Sequence, residues 1–149
     1  MSNKLLNIEI NIYTEIEDEG GSEIIHKTER GTLSRGNDIH MIKYEEDMEG
    51  AGLVLTTIII YDDRITLKRT GAVRMHQVFK IGAPTESVYQ HPYGSFRMET
   101  TTHRMEYLKG IKNKSGRLLM IYDVILNDQE PRNHTFELQF EEVFNEEQY

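Results

Sequence analysis

Leu6-Asn7-Ile8-Glu9-Ile10-Asn11-Ile12-Tyr13-Thr14-Glu15-Ile16-Glu17 is the stretch that decides the fold. Its even positions are Leu6, Ile8, Ile10, Ile12, Thr14 and Ile16, and its odd positions are Asn7, Glu9, Asn11, Tyr13, Glu15 and Glu17. A repeat of two sends successive side chains to opposite faces of an extended chain, so this is a half-buried strand with one apolar face. The turn residues from Asp18 to Ser22, around Gly20-Gly21, close it.

The same signal runs outward along the chain. A more polar strand is expected over residues 23–33, and Gly36-Asn37-Asp38 turns the chain into a third over 39–45. After Gly50 and Gly52 comes a strand over 53–61, apolar on both faces through Ile58-Ile59-Ile60. Asp62-Asp63-Arg64 is a compact turn into residues 65–70, and residues 73–81 alternate again before Gly82-Ala83-Pro84. A short segment over 86–90 ends at the turn His91-Pro-Tyr-Gly94. Residues 95–108 are Thr-rich, 109–116 form a basic loop, and 117–127 and 135–144 are the last two strands.

This pattern predicts an all-β chain: one domain over residues 1–149, with nine or ten strand segments and no helix. Short connections between successive strands suit an antiparallel up-and-down β-barrel of about eight to ten strands. Closure also removes the edges that residues 58–61 would otherwise offer to aggregation.

Composition narrows the function classes. The chain has 25 acidic against 17 basic side chains, a formal charge of −8, which disfavours nucleic acid and anionic membranes as partners. The acid is concentrated in Glu15-Ile-Glu-Asp-Glu19 and in Glu141-Glu-Val-Phe-Asn-Glu-Glu147, where solubility and a frayed C-terminus account for it. The sequence contains no cysteine, so disulfides, thiolate nucleophiles and zinc–thiolate sites are excluded. The first residues hold no apolar signal core, and the expected location is the cytoplasm.

In a barrel the informative residues are polar ones on the apolar face. The odd positions from Ile65 read Ile65, Leu67, Arg69, Gly71, Val73, Met75, Gln77, Phe79 and Ile81, with parity unbroken across Gly71-Ala72. The stretch is therefore one strand bent at Gly71 or a hairpin with an odd, three-residue loop, and either way Arg69 and Gln77 point inward. The even face of the later strand reads Phe96, Met98, Thr100, Thr102 and Arg104, and the next strand adds Leu118, Met120, Tyr122, Val124 and Leu126. Arg69, Gln77, Thr100, Thr102 and Tyr122 thus form the candidate ligand-binding lumen: a few convergent hydrogen-bonders among apolar walls. The competing reading is a structural plug, with Arg69 paired to Glu99, Asp123 or Glu9, because an unpaired buried charge costs several kcal/mol.

The six histidines show no metal-ligand spacing, and His40, His76 and His103 are expected on the faces opposite the apolar ones. No nucleophile elbow and no phosphate-cradling glycine loop is present, so no catalytic residue, no metal and no cofactor is expected.

The stretch Arg69-Thr-Gly-Ala-Val-Arg-Met-His-Gln-Val-Phe79, then Gly82-Ala83, Tyr89-Gln-His-Pro-Tyr-Gly94 and Tyr122-Asp123, resembles the YwiB-like family of uncharacterised bacterial proteins. The resemblance covers essentially the whole chain and implies a calycin, that is, a lipocalin-type β-barrel. It carries no activity and transfers no catalytic residue. The chain departs from typical lipocalins in having no tryptophan, hence no Gly-x-Trp motif near its start.

Three functions follow as expectations. The first is a small, partly apolar ligand in the lumen, with Arg69 meeting an anionic or carbonyl group. It requires a cavity of at least ~300 Å³ beside these side chains. The second is a protein-interaction or homodimerisation module, because residues 53–61 and 118–125 also carry apolar residues on their outward faces. The third is a metal-dependent phosphohydrolase of triphosphate-tunnel type, which needs inward carboxylates and many inward cations that the pattern does not supply.

Overall fold

The computed structural model describes residues 4–144. Ten strands follow in order: β1 (Lys4–Asp18), β2 (Gly21–Arg35), β3 (His40–Met48), β4 (Gly52–Ile60), β5 (Ile65–Gly71), β6 (Met75–Phe79), β7 (Thr85–His91), β8 (Gly94–Lys109), β9 (Ser115–Leu126) and β10 (Arg132–Glu142). The only helical element among the described residues is the three-residue 3-10 turn Ile111–Asn113 in the basic loop. Of the acidic C-terminal run, the part past residue 144 lies outside the described residues.

The sheet order is β6-β5-β4-β3-β2-β1-β10-β9-β8-β7, all antiparallel. Every strand therefore lies beside its neighbours in sequence, and β1 meets β10 across ten paired positions from Ile8↔Glu142 to Glu17↔Asn133. The ring closes between β6 and β7. There Arg74, one residue before β6, exchanges backbone bonds with Gln90: Arg74 N donates to Gln90 O at 2.9 Å and Gln90 N to Arg74 O at 2.8 Å. Farther along, the Thr85 hydroxyl donates to Val78 O at 2.6 Å. The expected up-and-down β-barrel is the architecture observed.

Alternation places the core. Ile8, Ile10, Leu33, Ile42, Ile58, Phe79, Leu118, Met120 and Leu138 are completely or almost completely buried and fill one half of the barrel. The parity argument at Gly71 resolves as a hairpin: β5 and β6 are joined by the three residues 72–74, with Arg69 opposite Met75. Gly71 sits at φ +107 with Leu53 O 2.8 Å from where a Cβ would stand, so the bend admits only glycine without strain.

Three side chains depart from the alternation. A bulge between Thr102 and Arg104 inserts one residue into β8 and reverses its parity, so Arg104 is exposed and ion-pairs with Glu106 instead of pointing inward. His40, expected outside, is buried and shares the inward face of β3 with Ile42 and Tyr44. Ile81, expected inside, lies past the end of β6 and is 52% exposed.

Candidate functional site

The two halves of the barrel differ. The half that holds the turn from β1 to β2 and the loop from β9 to β10 contains a cavity of about 380 Å³. Every strand except β4 contributes to its wall. The side formed by β8 to β10 is largely apolar, with Met98, Val124, Leu126 and Phe136, whereas β2, β3 and β5 bring Lys27, Glu46 and Arg69.

These three charges form one cluster at the point where two strands part. Backbone pairing between β2 and β3 stops at Gly31↔Tyr44, although both strands run on past it. At Gly31 the crossing is so close that a Cβ would stand 2.2 Å from Lys43 O. Beyond it, Glu46 of β3 and Lys27 of β2 face each other across the opening, with Lys27 Nζ 3.2 Å from Glu46 Oε2. Glu46 Oε1 accepts from the Thr56 hydroxyl at 2.9 Å and from Arg69 Nε at 3.3 Å. Burial alone would raise the Glu46 carboxyl, but the Arg69 guanidinium, the Thr56 hydrogen bond and the Lys27 ammonium outweigh it and hold the group below its ordinary value.

Arg69 is thus inward, as expected, but its partner is Glu46. Of the three carboxylates expected for it, Glu9 pairs outside with Arg30 at 3.7 Å, Asp123 accepts from Asn133 and lies 2.8 Å from His103, and Glu99 sits across from Glu86. Gln77 and Tyr122 also line the cavity. Thr100 stands behind Gln77 and accepts from its Nε2 at 2.9 Å. Thr102 is buried outside the cavity lining, and its hydroxyl has no hydrogen-bond partner among the described residues. The structure therefore brings together Arg69, Gln77, Tyr122 and, at one remove, Thr100, and leaves Thr102 apart.

Three residues of the site did not emerge from the sequence reading. Glu46 and Lys27 are two; His134 is the third, stacked on Tyr122 with ring centroids 4.9 Å apart and planes 14° from parallel. Burial pushes the His134 imidazole down to about 4, with Arg132 lowering it further against an opposing pull from Asp123, so it is neutral at pH 7. Burial raises the Tyr122 hydroxyl to about 12 and raises those of Tyr44 and Tyr89 as well, against the nearby Arg69 charge. All three stay protonated and able to donate.

A smaller cavity of about 270 Å³ opens at the other end, beside His40, Tyr107, Asp38 and Lys109. His40 Nδ1 and Tyr107 Oη are 2.7 Å apart, and burial lowers the histidine. Among the described residues, no three His, Asp or Glu side chains are grouped so as to hold a metal ion, and no helix is long and apolar enough to cross a membrane. Glu9, Glu15 and Glu17 lie on the outward, odd face of β1, away from the cavity.

Residues 10–138 match the family described as a domain of unknown function, DUF1934. The uncharacterized beta-barrel protein YwiB of Bacillus subtilis (strain 168) is 27% identical over 135 residues, which is 90% of this chain and 92% of the relative. The crystal structure of ywiB protein from Bacillus subtilis matches with a TM-score of 0.83 at 24% identity, covering 94% of each chain. That likeness establishes the fold.

Proposed function

This chain belongs to the DUF1934 family of β-barrel proteins of unknown function, and from that footing we propose that it is a non-catalytic, calycin-type barrel that binds a small, partly apolar molecule in its lumen. The observation that carries the reading is the cavity itself. At about 380 Å³ it exceeds the ~300 Å³ at which ligand pockets begin, and it sets apolar walls against a few convergent polar groups. Arg69 faces an anionic or carbonyl group of the ligand, and Gln77, Tyr122 and His134 supply neutral hydrogen-bonding partners. Absence of cysteine supports a cytoplasmic setting, where thiols stay reduced and disulfides are not needed.

Native mass spectrometry of freshly purified protein, followed by the denatured mass, tests this. A reproducible non-covalent adduct that disappears on denaturation is the expected result. A clean apo mass, together with no uptake of a neutral solvatochromic dye such as Nile red, would sink it.

One observation favours a second reading, a homodimerisation or protein-interaction surface. Leu53 and Leu55 on β4 are 61% and 42% exposed. The outward residues Leu119, Ile121 and Ile125 of β9 do not extend that patch, because β4 and β9 stand five strands apart in the ring and face opposite ways. Analytical ultracentrifugation of the Leu53→Ser, Leu55→Ser double variant decides it: a wild-type dimer that the variant dissolves supports this surface, and a monomeric wild type removes it.

A further inference from the structure

We infer that the cavity takes a monocarboxylate with a compact apolar body, its carboxylate completing the Lys27–Glu46–Arg69 cluster and its body lying on the β8–β10 wall. The inference rests on the lumen-binding reading and names the chemical class of the occupant.

The first ground is charge balance. Glu46 is 4% exposed and carries one negative charge, yet two cations converge on it, Lys27 at 3.2 Å and Arg69 at 3.3 Å. Their side chains are 36% and 21% exposed, so neither is bathed in water like a surface residue. The cluster is left with one net positive charge at the edge of an apolar cavity. No other acid of the wall pairs with these cations: Glu130, the remaining carboxylate of the lining, is exposed in the loop between β9 and β10. His134 is neutral, the tyrosyl hydroxyls are protonated, and at the mouth Arg132 has its own carboxylate in Asp18 at 3.7 Å. A singly charged anion neutralises the cluster. A phosphate monoester carries about −1.5 to −2 at pH 7 and would over-fill it. An ammonium would add to the surplus.

The second ground is donor geometry. Arg69 bonds Glu46 through Nε, one of the five N–H donors of a guanidinium, and also reaches the Tyr44 hydroxyl. Tyr44, Tyr89 and Tyr122 each lie close enough to feel the Arg69 charge, and all three line the cavity. A carboxylate accepts bonds only, so a guanidinium and phenolic O–H groups are matched to it. The third ground is size. At roughly 30 Å³ for each water-sized group, the 380 Å³ cavity holds at least about a dozen non-hydrogen atoms. Decanoate has that size.

The test is competition against Nile red in the folded protein with four probes of matched chain: decanoate, decanol, decylamine and decyl phosphate. Decanoate is expected to displace the dye at least about tenfold more tightly than decanol, with decylamine weakest. Lys27→Met lies at the strand opening and is expected to fold. It should weaken decanoate about three- to tenfold and leave decanol unchanged, and Arg69→Met should do the same more strongly. Decanol equal to decanoate, or decylamine or decyl phosphate tightest, overturns the monocarboxylate while the lumen still binds. Failure of the dye and all four probes to bind a folded barrel overturns the lumen reading, and this inference with it.

Discussion

Arg69 and Glu46 are 23 residues apart in the chain and 3.3 Å apart in the barrel, one on β5 and the other on β3, with Thr56 of the intervening strand bonded to the same carboxylate oxygen. Three successive strands thus converge on one buried negative charge. That arrangement stabilises the wall of the cavity only while both signs are present.

Removing the carboxylate should therefore cost more than removing the whole pair. Breaking a buried ion pair from one side costs about 3–5 kcal/mol, and partial exposure of Lys27 places Glu46→Gln toward the lower end. In a domain of this length that is a fall in Tm of roughly 6–12 °C. Glu46→Gln combined with Arg69→Met should recover a substantial part of the loss. Thermal unfolding of the two single variants and the double variant closes the cycle, and additive losses would show that the pair is not coupled.

Acid should weaken the barrel in two separable steps. His134 is held at about 4 against an ordinary 6.5, so below pH 6.5 the unfolded chain takes up a proton that the folded chain refuses. Stability falls from pH 6.5 down to about 4 and then levels for this group. Glu46 works in the other direction of cause but the same direction of effect: its carboxyl is depressed, so its contribution is present above 4.5 and lost as pH drops through the folded value. His134→Phe keeps the stack on Tyr122 and removes its share of the first step, leaving that of His40, which burial also lowers. Urea midpoints from pH 7 to 4.5 should fall less steeply for His134→Phe than for the wild type, by the equivalent of about 1–3 kcal/mol. Parallel slopes would place the proton uptake elsewhere.

Gly31 is the residue at which β2 and β3 cross, and a methyl group there meets backbone on β3. Unlike a glycine in a turn, its need is for space, since Lys43 O cannot swing away as a side chain can. Gly31→Ala should cost about 2–4 kcal/mol by overpacking and move β3 relative to Lys27. A stability loss with a weakened Lys27–Glu46 contact, read as a Lys27 amine shift by NMR, is expected. Full stability would mean that the strands separate freely at this point.

The strands were legible because alternation is a local property, and ten segments with turn residues between them leave an up-and-down barrel as the simplest closed solution. Gly71 shows how far parity alone carries: it leaves one strand bent there or a hairpin with an odd, three-residue loop, and β5 and β6 are joined by three residues. The misses have equally local causes. Ending the third strand at Glu45 stops one residue short of Glu46, which one more step of the Ile42, Tyr44 alternation puts on the inner face. Reading the third strand from Ile39 puts His40 outside, whereas the strand begins at His40 and its even positions face inward. Arg104 was misplaced by a bulge within Thr100-Thr-Thr-His103, a run without a residue that announces one. The partner of Arg69 and the hollow half of the barrel were beyond reach, since both depend on which side chains meet across strands distant in sequence.

The seam between β6 and β7 should be where the barrel opens first. Elsewhere adjacent strands share ladders of five to fifteen paired residues, such as Lys4↔Arg35 to Asp18↔Gly21 between β1 and β2 and Ile65↔Phe79 to Arg69↔Met75 between β5 and β6. Between β6 and β7 the connection is the Arg74–Gln90 backbone pair at one end and the Thr85 hydroxyl on Val78 O at the other. Protection from exchange follows the free energy of the opening that exposes an amide, and few cross-links mean a low one. Amides of residues 75–79 that do not bond to β5 should exchange fastest among the strand amides. Those of Arg74 and Gln90 should be slower than their neighbours, and β1 amides slowest of all. Thr85→Val removes the hydroxyl bond with little change in shape and should speed exchange along residues 75–79 several-fold while leaving β1 untouched. Because Met75, Gln77 and Tyr89 line the cavity beside this seam, a bound ligand should slow the same amides. Uniform protection around the ring, unchanged by Thr85→Val, would mean that β6 and β7 are held by the packing of their side chains and not by these few bonds.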